Sequence, residues 1–172
     1  VTQARLLEMP IAGVYPIEVD EANARLVGWE HKLGPCNRPF RQEAYGLEVG
    51  GDLVAVAISA SIVNGPVAGY QRGQVVELAR LGAANRWANR VMLRLWRETC
   101  AQLWDCWPVE AAVSYSHNAL HGGDLYRFDG WERVRTDAGS SGGGLWSRKR
   151  EQGDAVYGKK TLWVWRYKDG AA

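Results

Sequence analysis

Glu77 is a carboxylate set among the aliphatic and β-branched residues of QVVELARL (74–81). An ionised carboxylate inside an apolar strand costs on the order of several kcal/mol unless it is paired, solvated through a cleft or neutral. The residues leave two readings open. Glu77 is a general base whose pKa burial raises, so that it relays a proton from an acceptor amine, or it is the structural partner of Arg80 or another arginine. Directly after it, GAANRWANR (82–90) breaks the strand and opens a helix, where unpaired amides and the helix dipole suit an anion. Arg86 and Arg90 fall in the first helical turn and oppose that dipole by about 0.3–1 kcal/mol each, a sign that a bound phosphate reverses. His117 and His121 are four apart, as in a metal pair, but no HExxH motif or clustered third ligand accompanies them, so no metal is expected. SSGGGLWSRKREQGDAVYGKK (140–160) gathers Trp146, Arg148, Lys149, Arg150, Lys159 and Lys160. Its cations could track a nucleic-acid backbone and its indole could stack a base; the alternative is a solvated loop.

The elements that position these groups can be read from periodicity. WANRVMLRLWRETCAQLW (87–104) carries Ala88, Met92, Leu95, Trp96, Thr99 and Leu103 on one stripe, which predicts a helix of about five turns with Arg94 and Arg97 on its solvated side. EAAVSY (110–115) reads as a second buried strand, and HNALHGGDLYRFDGW (117–131) as a short, glycine-weakened helix. Strand, helix and strand without a hairpin signal predict a parallel pair with a right-handed crossover, and a ligand beyond the carboxyl ends of the strands. Upstream, residues 1–15 hold a first strand. A helix over 17–33 follows, with Ala22, Leu26, Val27 and Trp29 as its apolar positions, and then the loop GPCNRPFR (34–41). Two strands, 44–49 and 53–61, close around Gly50-Gly51-Asp52. Downstream, WERV (131–134) and TLWVWRY (161–167) are strands separated by the glycine-rich connection 136–160. This order predicts a single domain with a mixed α/β sheet.

The 172 residues, 47% of them hydrophobic and 23% charged, are enough for a core without staples. No run of about 18 apolar residues is present, so no membrane span is expected. Three cysteines, an odd number without zinc spacing, point to a reducing, cytoplasmic setting. A net charge of +2 neither demands nor excludes a nucleic-acid partner. Nine tryptophans are more than a core of this size needs, which suggests that some line a cleft.

LYRFDGW (125–131) resembles the Leu-Tyr-x-x-x-Gly-aromatic ending of the GNAT superfamily, the acyl-coenzyme-A-dependent N-acyltransferases. Within it, His121, Gly123, Tyr126, Gly130 and Trp131 are similar to a run in a phage and prophage branch that includes Mom-type DNA-modification proteins. GGGLWSR (142–148) is similar to a run in uncharacterised members of that branch. The resemblance implies a GNAT-like sheet of six or seven strands flanked by helices, with acetyl-CoA or another acyl-CoA as the acyl donor. It implies Glu77 as base and Tyr126 as the acid that protonates the departing thiolate. Ala79 and Leu81 on the strand, Asn85, Arg86, Trp87, Ala88, Asn89 and Arg90 in the pyrophosphate loop, and Asn118 near the pantetheine amides are the implied coenzyme contacts. In that loop Asn85 stands in the Arg/Gln place and Ala88 in the last small place, while the usual glycines are missing. His121, Trp146, Arg148 and Arg150 are the expected acceptor contacts. The acceptor is an amine, either an amino group on DNA or a small molecule; a third reading is a GNAT-shaped binding module without catalysis.

Overall fold

Gly50 and Gly51 have φ of 62° and 91°, the left-handed geometry that a two-residue hairpin turn requires. They join β2 (Gln42–Val49) to β3 (Asp52–Ala60), with Val49 paired to Asp52 across the turn. The computed structural model describes residues 12–63, 65–138 and 158–167. Ahead of the hairpin lie β1 (Ala12–Ile17) and α1 (Val19–Gly28). After it come β4 (Val75–Ala83), α2 (Arg86–Glu98), β5 (Ala111–His117), α3 (Asp124–Asp129), β6 (Glu132–Ala138) and β7 (Lys160–Arg166). The strands form one seven-stranded sheet in the order β1-β2-β3-β4-β5-β7-β6. All neighbours are antiparallel except β4 and β5, the parallel pair that α2 connects. The expected mixed α/β sheet is the observed one, and Pro16 is tolerated because β1 is an edge strand.

Strand alternation gives the sheet two faces. On the first, Met92, Leu93 and Trp96 of α2 and Tyr126 of α3 pack on Val76, Leu78, Ala112 and Trp163. Trp96 is wholly buried, and its indole N–H donates to Ser59 Oγ at 2.8 Å, which satisfies the one polar atom it brings inside. On the second face, Ala22 and Leu26 of α1 cover Val56 and Ile58, and Val75, Val113, Leu162 and Val164 continue the core below β4, β5 and β7.

Three expectations need correction. The first helix stops at Gly28 rather than reaching residue 33. The Trp29 N–H turns back to the Arg25 carbonyl and the Glu30 N–H to that of Val27, and the Val27 side chain is exposed. The second helix ends at Glu98. Thr99 leaves helical geometry (φ −127°) while its hydroxyl donates to the Leu95 carbonyl at 2.5 Å, and a tighter turn over Cys100–Leu103 carries Leu103 into solvent. Arg97, expected on the solvated stripe, is 4% exposed. Its guanidinium donates to Asp129 at 2.8 Å and lies 3.7 Å from the Trp165 ring centroid, tying α2 to the end of α3. No described helix is long and apolar enough to cross a membrane.

Candidate active site

β4 and β5 run together for only four residue pairs, from Val75↔Ala111 to Leu78↔Ser114. Beyond that point β4 bends away. Leu78 faces Ser59 and Arg80 faces Ile58 on β3, which leaves Ala79 as an extra residue in a bulge. A bulge adds bend and twist to its strand, and here it parts β4 from β5 into a fork. From Arg80 to Ala83, β4 pairs with β3 alone. No described strand pairs with its other edge, where the Ala79 carbonyl accepts from the Arg80 guanidinium and the remaining backbone groups suit an extended amide-bearing ligand.

The fork opens into a cleft of about 780 Å³. Ala79, Leu81, Arg86, Asn89, Arg90, His121 and Tyr126 are in its walls, as are Ser114, His117 and His31. Asn85 is the N-cap of α2, its side-chain oxygen accepting from the Ala88 N–H at 3.0 Å. That bond takes up one of the first-turn amides. The N–H groups of Arg86 and Trp87 have no partner among the described residues, so they remain for an anion. The Trp87 side chain is 49% exposed and Ala88 is wholly buried; neither side chain lines the cleft. Asn89 adds a buried side-chain oxygen with no hydrogen-bond partner among the described residues.

Tyr126 is held at the fork by its own helix. Gly123 caps α3 in the left-handed region (φ 74°), where a Cβ would overlap the Trp163 indole, and Gly130 ends the helix in the same region. The Tyr126 ring stacks on Trp163 at 5.6 Å and meets Trp131 edge-on at 5.4 Å. Gly123, Gly130, Trp131 and Trp163 thus fix the position of one phenol. Ser114 Oγ lies 2.9 Å from the Tyr126 hydroxyl and 3.1 Å from the Leu78 carbonyl. The carbonyl can only accept, so Ser114 donates to it and accepts from Tyr126. Burial pushes the Tyr126 phenol above its ordinary pKa, against the opposing effect of Ser114. Ser114 was legible only as a hydroxyl inside an apolar strand.

Glu77 is buried one pair short of the fork and is not in the cleft wall. Its carboxylate accepts a close charge-assisted hydrogen bond from Arg38, so it has the arginine partner that sequence reading allowed, but from the 34–41 loop and not from Arg80. Burial raises its pKa, while Arg38, Arg80 and Lys160 pull it back. The Arg80 guanidinium instead donates to the carbonyls of Gly34 and Ala79 at 2.9 and 2.7 Å. Asn118, expected beside the pantetheine, is not in the cleft wall. Its amide donates to the Thr136 carbonyl at 2.6 Å and accepts from the Thr161 hydroxyl at 2.8 Å, stapling the end of β5 to β6 and β7. Trp146, Arg148 and Arg150 lie outside the described residues. His31 was missed because it follows α1 in a stretch read as helix. Burial and the nearby Arg80 lower its pKa to about 4.

No protein-family model and no curated protein sequence matches the chain. The fold, however, is that of solved GNAT acetyltransferases. A probable acetyltransferase from Staphylococcus epidermidis is similar with a TM-score of 0.59 at 8% identity, over 92% of this chain and all of that one. A putative acetyltransferase from Salmonella typhimurium, solved with its cofactor acetyl-CoA, gives 0.58 at 11% identity, over 94% and 96% of the two chains. A GNAT family acetyltransferase from Elizabethkingia anophelis, with acetyl-CoA bound, gives 0.53 at 9% identity, over 91% and 98%.

Proposed function

We propose that the protein is an acyl-coenzyme-A-dependent N-acyltransferase that moves an acyl group directly from the thioester to an amine. The observation that carries this reading is the fork. An open β4 edge, the unpaired amides of α2 and a buried phenol converge on one cleft, in a fold shared with acetyltransferases solved with acetyl-CoA. The β4 edge at Ala79 and Leu81 suits the amides of a pantetheine arm. The α2 amino terminus, with Arg86 and Arg90, suits a pyrophosphate.

Tyr126 and Glu77 belong to opposite faces of the sheet, on either side of the Leu78–Ser114 pair. With the sulfur toward Tyr126, the amine approaches the thioester carbon from the Glu77 face. The amine nitrogen forms the new C–N bond and yields a proton to Glu77. The C–S bond breaks, and the sulfur leaves with the proton of Tyr126. A carboxyl whose pKa burial raises is suited to the first transfer. The Ser114 hydroxyl, which donates to the Leu78 carbonyl while Tyr126 is protonated, turns to the phenolate left by the second transfer and stabilises it.

Titration calorimetry with acetyl-CoA tests the reading. Saturable binding below about 1 mM supports it, and no binding at that concentration sinks it. The finer readings, a phage-type enzyme and an amino group on DNA, rest on the motif from His121 to Trp131 and on Trp146, Arg148 and Arg150. Lys159 and Lys160 stand with that cluster in the sequence, but Trp146, Arg148 and Arg150 lie outside the described residues, and the small amine is the acceptor proposed.

A further inference from the structure

The face of the fork opposite Tyr126 carries more positive charge than its carboxylate can balance. Strand alternation places Glu77 beside Val75, Tyr115 beside Val113 and Lys160 beside Leu162, all on the same face of the sheet. Lys160 opens β7 and pairs with His117, the last residue of β5, so it stands at the rim where the strands part. Arg38 and Arg80 enter the same region: each acts electrostatically on both Glu77 and Lys160. Glu77 is the one anion among them, and Arg38 already holds it. Arg80 is anchored by backbone carbonyls, including those of Leu33 at 3.3 Å and Pro35 at 3.2 Å, and bonds no carboxylate among the described residues. Lys160 is half-buried, and while its backbone pairs with His117 and Ala138, its ammonium has no hydrogen bond or ion pair with any described residue.

Three cations against one carboxylate, partly removed from water, are mutually unfavourable unless an anion joins them. Among the described residues nothing requires the excess: Arg80 stitches the 33–35 turn to β4, but the Lys160 ammonium holds no described group. We propose that the amine acceptor carries a compact anionic group, a carboxylate or a phosphate, which Lys160 and Arg38 bind on the Glu77 face of the fork. This rests on the acyltransferase reading and names the acceptor class for the same site. The anion fixes the acceptor so that its amine lies between Glu77 and the thioester carbon. By drawing on Arg38 it also loosens the pair that restrains Glu77. The Arg38 and Glu77 side chains are 24% and 6% exposed, too recessed for the backbone of a nucleic-acid duplex.

Matched acceptors test this on coenzyme-A-loaded protein. One pair differs by a carboxylate (tyramine and tyrosine), the other by a phosphate (ethanolamine and its phosphate ester), with binding read by calorimetry. The anionic member of at least one pair should bind about tenfold tighter or more. Lys160→Met should erase that preference with coenzyme affinity unchanged, and Lys160→Arg should keep it. The pair that discriminates identifies which anion is used. Equal binding of both members, a preference that survives Lys160→Met, or no binding of either anionic member at about 10 mM overturns the proposal. If coenzyme A itself fails to bind, the acyltransferase reading falls separately, and the pairs run on the protein alone still read the anion preference.

Discussion

Ser114 and Tyr126 share a 2.9 Å hydrogen bond at the last residue pair before β4 and β5 diverge. The phenol is thereby fixed to the sheet itself as well as to its helix. Its proton points at a residue whose own hydroxyl is committed to the Leu78 carbonyl.

Tyr126→Phe removes the proposed acid and keeps the ring stack. Thiol release from acetyl-CoA in the presence of an acceptor should fall by roughly 10²–10⁴-fold in kcat. Acetyl-CoA affinity should stay within about threefold of wild type. Ser114→Ala should fall less, because it leaves the phenol in place. A Tyr126→Phe enzyme with undiminished kcat would remove Tyr126 from the chemistry.

Glu77→Gln should show two separable effects. Turnover should drop by about 10²-fold or more for want of a base. Stability should drop too, by about 1–3 kcal/mol, less than for a fully buried pair because Arg38 is partly solvated. Adding Arg38→Met should recover stability, measured by urea denaturation, but not turnover. Recovery of both would make Glu77 a purely structural residue.

His31 gives the pH dependence a definite sign. Its folded pKa is about 4, against an ordinary value of 6.5, so the folded protein binds fewer protons between those values than the unfolded chain. The associated stability is fully present above pH 6.5 and is lost as pH falls toward 4, by at most about 3 kcal/mol. The difference in urea midpoint between pH 7 and pH 4.5 should therefore shrink in His31→Gln. An unchanged difference would show that His31 already titrates normally in the fold. Glu77, whose pKa is raised, works in the opposite sense: its stability cost sets in as pH rises above the ordinary carboxylate range.

Asn85 caps α2 through the Ala88 amide. Asn85→Ala should cost about 1 kcal/mol, and Asn85→Gly only a few tenths, because glycine lets water reach the freed amide. Thermal unfolding of the two variants beside wild type reads the differences, and an Asn85→Ala midpoint equal to that of wild type would mean that the cap bond contributes nothing.

The sheet, its parallel centre and the position of Tyr126 in a short helix were legible because each depends on local pattern: short apolar runs in 74–81 and 110–115, and glycines flanking one short helix. Glu77 shows where that legibility ends. Its oddity in the strand was visible, but its partner Arg38 comes from a loop 39 residues upstream, and nothing local selects Arg38 over Arg80. Asn118 fails for the same reason, since its amide is captured by Thr136 and Thr161 on strands that reach β5 only through the tertiary fold. Arg97 was misread because helical periodicity gives the angle a side chain leaves the axis, but not that the Asp129 carboxylate and the Trp165 ring wait there. Helix α2 fell short of five turns because the Thr99 hydroxyl bonds backward and closes the helix, a local competition that apolar spacing cannot register.

The four-pair contact between β4 and β5 contrasts with eight pairs between β2 and β3 and seven between β5 and β7. The other four-pair contact among the described strands, β6 with β7, lies at the edge of the sheet, so inside the sheet the compliance is concentrated along one line between two stiffer plates. A small rotation of one plate against the other changes the width of the fork before it disturbs either plate, which makes cleft width the softest coordinate of the fold. A molecule that bridges both lips acts as a crosslink across that line. Its signature would be slower amide exchange on both plates, including positions far from any atom it touches.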